Sequence, residues 1–187
     1  MQPSEKRLEQ LTEEAKRTTI VLKKDERNFI DFIINEGKES GIKQLFSKML
    51  DMYRKMMIYD WQFPGEYYCG ISRVALVNVE VFNILIQNTP KENWYDVGKK
   101  MGEVLKISME TTIGVDTSNQ ENWIVVFERL SVQGFGYFSL KGKYLLLRVP
   151  FFNDALLWGG LLEGLLGVKL ETKNSVSPLV FEIKTSA

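Results

Sequence analysis

The sequence contains no histidine and only one cysteine, and these two absences exclude several kinds of site. Without histidine the chain has no His-ligated zinc, no His-bound haem iron and no Ser-His-Asp triad. With Cys69 alone it has neither an internal disulfide nor a cysteine-held metal cluster. We therefore expect no metal, no cofactor and no enzymatic activity.

The sequence also lacks net charge and a long apolar run. Lys and Arg together number 24, and so do Asp and Glu, so an electrostatic partner must recognise a local patch. The first residues are polar and lack the apolar region of a secretory signal. The longest apolar stretch, residues 155–168, is shorter than a membrane span and is interrupted by Glu163. These features predict a soluble cytoplasmic protein with no membrane partner.

The first residues predict a charged segment followed by a short strand. Residues 1–16 are compatible with either a charged helix or a loose tail. Residues 18–23 are β-branched and alternate in character, which is typical of a strand. Ile20 and Leu22 then lie on one face, and the opposite face carries Thr19, Val21 and Lys23.

Two amphipathic helices are expected after this strand. Asp25 can cap a helix that runs through Glu36, with Gly37 as its C-terminal stop. Ser40 can cap a second helix, which carries a broad apolar stripe and runs to about Asp60.

A strand of six residues needs a pairing partner, because its backbone groups otherwise stay open. No second strand lies nearby in the sequence, so the expected partner is the same strand of a second copy. Over residues 16–57 the pattern resembles the ribbon-helix-helix family of DNA-binding proteins, although residues 37–41 make a longer turn than the family's Gly-x-Ser step. The resemblance implies a homodimer that inserts a two-stranded antiparallel ribbon into the major groove of double-stranded DNA.

The outward strand residues are the candidate base contacts in this resemblance. A threonine hydroxyl donates or accepts, a lysine reaches guanine acceptors and a valine touches a thymine methyl. Residues 16–27 hold five basic and two acidic side chains, and the second helix begins with free backbone N–H groups, which favours phosphate binding. An edge strand with a solvated face and a capped helix that binds only water remain the alternatives. The candidate base contacts are Thr19, Val21 and Lys23, and the candidate phosphate contacts are Lys16, Arg17, Lys24, Ser40, Gly41 and Lys43.

The rest of the chain predicts an α+β domain, with helices packed on one antiparallel sheet. The expected domains are residues 1–16, 17–60 and 61–187. Helices are expected over residues 80–86, 94–107 and 122–131, and a last helix is expected from a cap at Asn153 or Asp154 to near Gly167. Strands are expected over 71–79, over 137–140 and 144–149 as a hairpin around Gly142, and over 168–172 and 179–185 as a final pair.

Four stretches of this domain, residues 95–102, 134–136, 150–151 and 160–164, resemble the vinyl-reductase-like (4-vinyl reductase) domain. The resemblance covers residues 70–185, and subunits of the vesicle-tethering TRAPP complex are similar to the same domain. Some versions carry cysteines that suggest metal binding, but residues 175–178 read Ser-Val-Ser-Pro here, so that role is not carried over.

A glycine stripe on the last helix and the aromatics near it are the candidates for a small apolar ligand. Helical glycines are costly, so a strand, another helix or a ligand is expected to approach closely. Plain core packing remains an alternative, and for Arg148 and Glu163 an exposed face is favoured over a ligand anchor or a mutual pair. Cys69 is expected to be a buried small side chain. The candidate pocket residues are Tyr137, Tyr144, Arg148, Phe151, Trp158, Gly160 and Gly164.

Together these features predict a dimeric DNA-binding transcription regulator whose C-terminal domain binds a small apolar molecule. The alternative is a protein-interaction subunit similar to the vesicle-tethering subunits, without DNA binding. An enzyme acting on a tetrapyrrole-like or lipid substrate is a third hypothesis, which lacks paired carboxylates in an evident pocket.

Overall fold

The computed structural model describes residues 18–62, 65–69 and 71–184. The chain separates into two compact units, one ending at Lys48 and the other beginning at Met49. This division falls inside a helix, and the expected domain boundary near residue 60 stays a prediction. The predictions for residues 1–16, Lys16 and Arg17 lie outside the described residues.

The first unit contains α1 (Lys24–Asn35) and the beginning of α2 (Ile42–Lys55). Helix α1 begins before the predicted cap Asp25, because the Glu26 carboxylate accepts a hydrogen bond from the backbone N–H of Lys23 at 2.7 Å. Gly37 follows α1 with a φ of +68°, which confirms the predicted stop.

Helix α2 is shorter than the sequence predicted. It begins two residues after Ser40, and it ends at Lys55 rather than near Asp60. Met57 has a φ of +54°, a left-handed conformation that cannot continue an α-helix. A short 3₁₀ helix follows at Ile58–Asp60.

The predicted strand, residues 18–23, is neither helical nor part of a sheet within the described residues. Its last residue, Lys23, has extended dihedral angles, with φ of −68° and ψ of 161°. No strand in the described part of this single chain pairs with it. Pairing with a second copy therefore remains a prediction.

The second unit is α+β, as predicted. Its main sheet has four antiparallel strands within the described residues, in the order Tyr137–Lys141, Tyr144–Arg148, Leu179–Lys184 and Lys169–Asn174. The predicted hairpin around Gly142 and the predicted final strand pair are both present. A separate two-stranded sheet precedes them. The strands are β1 (Tyr67–Cys69), β2 (Ser72–Val74), β3 (Tyr137–Lys141), β4 (Tyr144–Arg148), β5 (Lys169–Asn174) and β6 (Leu179–Lys184).

Four further α-helices complete this unit in the part of the chain that the structure describes. The strand expected over residues 71–79 is limited to β2, because Asn78 caps a helix there by accepting a hydrogen bond from Glu80 N at 2.8 Å. Asp154, one of the two caps that the sequence left open, caps the last helix, and Gly167 ends it as predicted. The helices are α3 (Val79–Gln87), α4 (Trp94–Ile113), α5 (Trp123–Val132) and α6 (Ala155–Leu166).

Helix α6 forms the centre of the core. Trp158, Leu161 and Leu165 on this helix are fully buried. They share one apolar cluster with sheet residues such as Leu147 and Phe181. Ten of the twelve residues of α6 are buried, which explains why nearly all of them are apolar, as expected for a core helix. No helix in the described ranges is long and apolar enough to cross a membrane.

Helices α4 and α6 run parallel with their backbones in direct contact. A Cβ added to Gly160 would lie 2.0 Å from the Tyr95 carbonyl oxygen, and one added to Gly98 would lie 2.0 Å from that of Leu157. Gly102 and Gly164 make equivalent approaches one turn further on. The glycine stripe therefore faces a helix, one of the three neighbours that the sequence left open.

Candidate functional site

The three candidate base contacts are exposed. Thr19 and Lys23 face solvent, and Val21 is 92% exposed. Leu22, which the alternation assigns to the inner face, is half-buried, whereas its neighbour Ile20 is exposed. The outward face predicted from the alternation is therefore accessible.

The candidate phosphate contacts within the described residues are also accessible. Lys24, Ser40 and Lys43 are exposed, and Gly41 is half-buried. The first turn of α2 contains no acidic residue, so its positive dipole end is not neutralised from within that turn. In α1 the Arg27 guanidinium is paired with Asp31 at 2.9 Å, which reduces the positive charge expected there.

The helices of the first unit expose large apolar side chains. Phe29 is 63% exposed and Phe32 is 51% exposed. Between residues 18 and 48, Ile30 and Leu45 are the buried apolar side chains. Two buried residues form a very small core for a folded unit. The exposed apolar side chains of this unit are therefore typical of a surface that is covered by a partner.

The structure does not bring the seven candidate pocket residues together. Tyr137 and Arg148 pair across β3 and β4 with exposed side chains, and Tyr144 is also exposed. Trp158 is fully buried, and its Nε1 donates a hydrogen bond to the Phe152 carbonyl oxygen at 2.6 Å. Gly160 and Gly164 contact α4, which leaves no room for a ligand on that face. Among the seven, Phe151 lines a cavity of about 240 Å³.

Two adjoining cavities instead lie between α4, α5 and residues 72–79. Their volumes are about 240 and 280 Å³, and both are lined by Ala75, Gln133 and Phe135. The sequence reading missed this cleft because it assigned residues 71–79 to a strand. Pro64 and Gly65 marked a break nearby, but no local pattern indicated that the coil after β2 would face α4 and α5.

The 280 Å³ cavity has a polar corner. Ser72 Oγ and Ser108 Oγ lie 2.8 Å apart and share one hydrogen bond. Arg129 lines the same cavity, where it donates hydrogen bonds to the Lys55 carbonyl oxygen and, at 3.4 Å, to Met57 Sδ. The other lining residues are mostly apolar.

Glu163 is not on an exposed face, which corrects the favoured prediction, and it does not pair with Arg148. Its side chain is 8% exposed. It accepts hydrogen bonds from Tyr95 Oη at 2.6 Å, Lys169 Nζ at 3.0 Å and Leu170 N at 2.9 Å. Burial alone raises the pKa of Glu163, but these donors together hold it below its ordinary value of 4.5. Glu163 therefore joins α4, α6 and β5.

We expect Glu163→Gln to destabilise the second unit by about 2 kcal/mol at pH 7, because a carboxylate with three donors is replaced by an amide. The depressed pKa stabilises the folded state above pH 4.5, and this contribution is lost as the pH falls through the folded-state pKa. The free energy of unfolding, measured with urea between pH 7 and pH 3, should therefore depend less on pH in the variant than in the unaltered chain.

The exposed Glu121 provides the matched control. Glu121→Gln should keep the pH dependence of the unaltered chain. If the free energy of unfolding changed equally with pH in the unaltered chain and in both variants, this role of Glu163 would be contradicted.

The chain matches no protein-family model, no curated protein and no solved structure. The resemblances in the sequence therefore stay hypotheses about fold and function. The expectation that Cys69 is buried concerns a side chain outside the described part of the chain.

Proposed function

We propose that the protein is a homodimeric DNA-binding transcription regulator with an N-terminal ribbon-helix-helix unit and a C-terminal vinyl-reductase-like domain. The observation that carries the proposal is the exposed segment 18–23, which lies in no sheet within the described residues and directly precedes two amphipathic helices. Intracellular action on DNA is consistent with the sequence expectation of a cytoplasmic protein.

The exposed apolar side chains support the dimer. Burying a side chain such as Phe29 or Phe32 contributes about 1.5–3 kcal/mol. A second copy can cover these side chains with its own helices, while its residues 18–23 provide the missing strand partner. Both requirements are met by one twofold-symmetric arrangement, which is the commonest form of homo-oligomer.

The accessible face of the segment supports DNA as the ligand. A two-stranded ribbon fits the major groove, and Thr19, Val21 and Lys23 would then face base edges. Phosphates would be held by the basic residues beside the ribbon and by the N-terminus of α2, the contacts expected at Lys16, Arg17, Lys24, Ser40, Gly41 and Lys43.

A protein-interaction subunit without DNA binding is the second candidate function. One observation favours it, because α3 in the second unit exposes Val81, Ile84 and Leu85. An exposed apolar face of this kind is typical of a protein contact surface. This candidate gives no role to residues 18–23, so a DNA-binding measurement separates the two.

The binding test uses duplex DNA selected from a random library by the full chain. We expect the selected sites to be palindromic and the affinity to fall steeply with salt. The triple variant Thr19→Ala, Val21→Ala and Lys23→Ala should lose its preference for the selected site over random duplex by about 10-fold or more, because each direct base contact contributes about 1–3 kcal/mol of discrimination. Fluorescence anisotropy measures both affinities.

The matched control replaces the same residue types at exposed positions of the second unit, with Thr172→Ala, Val176→Ala and Lys141→Ala. This variant should keep the preference. Specific binding that survives the first triple substitution would overturn the ribbon, and an absence of DNA binding in the unaltered chain would favour the interaction subunit.

A further inference from the structure

The cleft in the second unit has the form of a small-molecule site. Its two cavities, of about 240 and 280 Å³, meet at Ala75, Gln133 and Phe135. Together they reach the size of pockets that hold small ligands. The cleft is distinct from the face of Gly160 and Gly164, where the sequence placed its candidate pocket.

The walls of the cleft are largely apolar. Val104 and Leu105 of α4 line the larger cavity, while Met101 of the same helix lines the smaller one. Phe82 and Phe151 close the smaller cavity, with their ring centroids 5.2 Å apart. Most of the cleft wall therefore fits the hydrocarbon part of a ligand.

One corner of the cleft can hydrogen-bond a ligand. The two hydroxyls of Ser72 and Ser108 share a single hydrogen bond, which leaves one hydroxyl hydrogen and several lone pairs for a further partner. Beside them, Thr112 Oγ1 is buried without a hydrogen-bond partner in the described part of the chain. It borders a void of about 10 Å³, close to the size of one water.

Arg129 borders the same corner, and two of its guanidinium nitrogens donate hydrogen bonds within the protein. They donate to the Lys55 carbonyl oxygen and to Met57 Sδ, so this side chain holds the turn after α2. The serine hydroxyls are neutral and can each accept or donate. An uncharged hydroxyl or carbonyl oxygen therefore matches the two serines at this corner.

We propose that this cleft binds a small, uncharged, mostly apolar molecule that carries one hydroxyl or carbonyl oxygen. The oxygen lies at the Ser72–Ser108 pair, and the hydrocarbon body extends past Ala75 towards Phe82 and Phe151. The assignment rests on the second unit alone and does not depend on DNA binding.

Isothermal titration calorimetry of the full chain with 1-octanol and with 2-cyclohexylethanol tests the site. We expect saturable binding of at least one alcohol to one site, and weaker binding of octanoate at pH 7. The double variant Ser72→Ala with Ser108→Ala should weaken alcohol binding about 3- to 10-fold, the effect of a neutral hydrogen bond. Ala75→Trp should abolish binding, because the side chain fills the junction of the two cavities.

Two further variants separate binding from folding. Val104→Trp fills the larger cavity from an exposed position on α4 and should also abolish binding, whereas Val176→Trp, on an exposed loop outside the cleft, should bind normally. Circular dichroism identifies the variants that keep their fold. The proposal is overturned if neither alcohol binds saturably, if the folded tryptophan variants at Ala75 or Val104 bind normally, if the serine variant binds normally, or if octanoate binds more tightly than the alcohols.

Discussion

Gly160→Ala is expected to destabilise the second unit by about 3 kcal/mol or more, which is a large effect for one methyl group. The new Cβ would lie 2.0 Å from the Tyr95 carbonyl oxygen and 2.9 Å from Lys99 N. Both atoms belong to the backbone of α4, so no side chain can rotate away to make room. The helices must separate, and the core that α6 forms with the sheet must separate with them.

The neighbouring glycine provides a matched control within the same helix. A Cβ on Gly159 would meet only Phe181 Cε1, at 3.8 Å, which is ordinary van der Waals contact. Since alanine favours helix over glycine by up to about 1 kcal/mol, Gly159→Ala should leave stability unchanged or raise it.

Tryptophan fluorescence during urea unfolding measures the difference. The chain has four tryptophans, Trp61, Trp94, Trp123 and Trp158, and all lie in the second unit, so the signal reports that unit alone. Similar free energies of unfolding for the two alanine variants would contradict the backbone contact.

Replacing Ile20 and Val21 together by proline is expected to convert the dimer into a monomer and to weaken specific DNA binding by about 100-fold or more, because a monomer contacts only one half-site. Proline has no N–H and cannot donate within a strand ladder, and both residues are replaced because only one of two successive N–H groups points towards the partner strand. Ile20 is 56% exposed and Val21 is 92% exposed in the single chain, so the monomer loses little packing. The effect on assembly therefore depends on the proposed ribbon.

Light scattering after size-exclusion chromatography gives the oligomeric state, and anisotropy with the selected duplex gives the affinity. Val21→Ala keeps the backbone N–H and should remain a dimer. A double variant that remains a dimer with unchanged affinity would show that this segment does not join the two copies.

Local patterns in the sequence predicted much of the second unit. The hairpin around Gly142 and the cap and stop of α6 at Asp154 and Gly167 were all correct. Each depends on a few adjacent residues whose conformational preferences are strong. The strand over residues 71–79 was mostly wrong, because β-branched residues favour strands while the cap at Asn78 starts a helix within the same apolar run.

Long-range contacts explain what the sequence left undecided about the sites. The glycine stripe was recognised, but its neighbour was not, although Gly98 and Gly102 have the same spacing as Gly160 and Gly164. The cleft forms where the coil after β2 packs near α4 and α5, and no local sequence pattern predicts that packing. The ribbon still depends on a second molecule, so its pairing stays a prediction.

The glycine contact also determines which wall of the cleft can adapt to an occupant. Because the backbones of α4 and α6 are in direct contact, the wall formed by Met101, Val104 and Leu105 is held to the central helix of the core. Another part of the lining is the coil between β2 and α3, around Ala75, whose residues 75–77 make no backbone–backbone hydrogen bond within the described part of the chain. Molecules of different size would therefore be accommodated by shifts of this coil. Their binding would change the amide NMR signals of the coil more than those of α4.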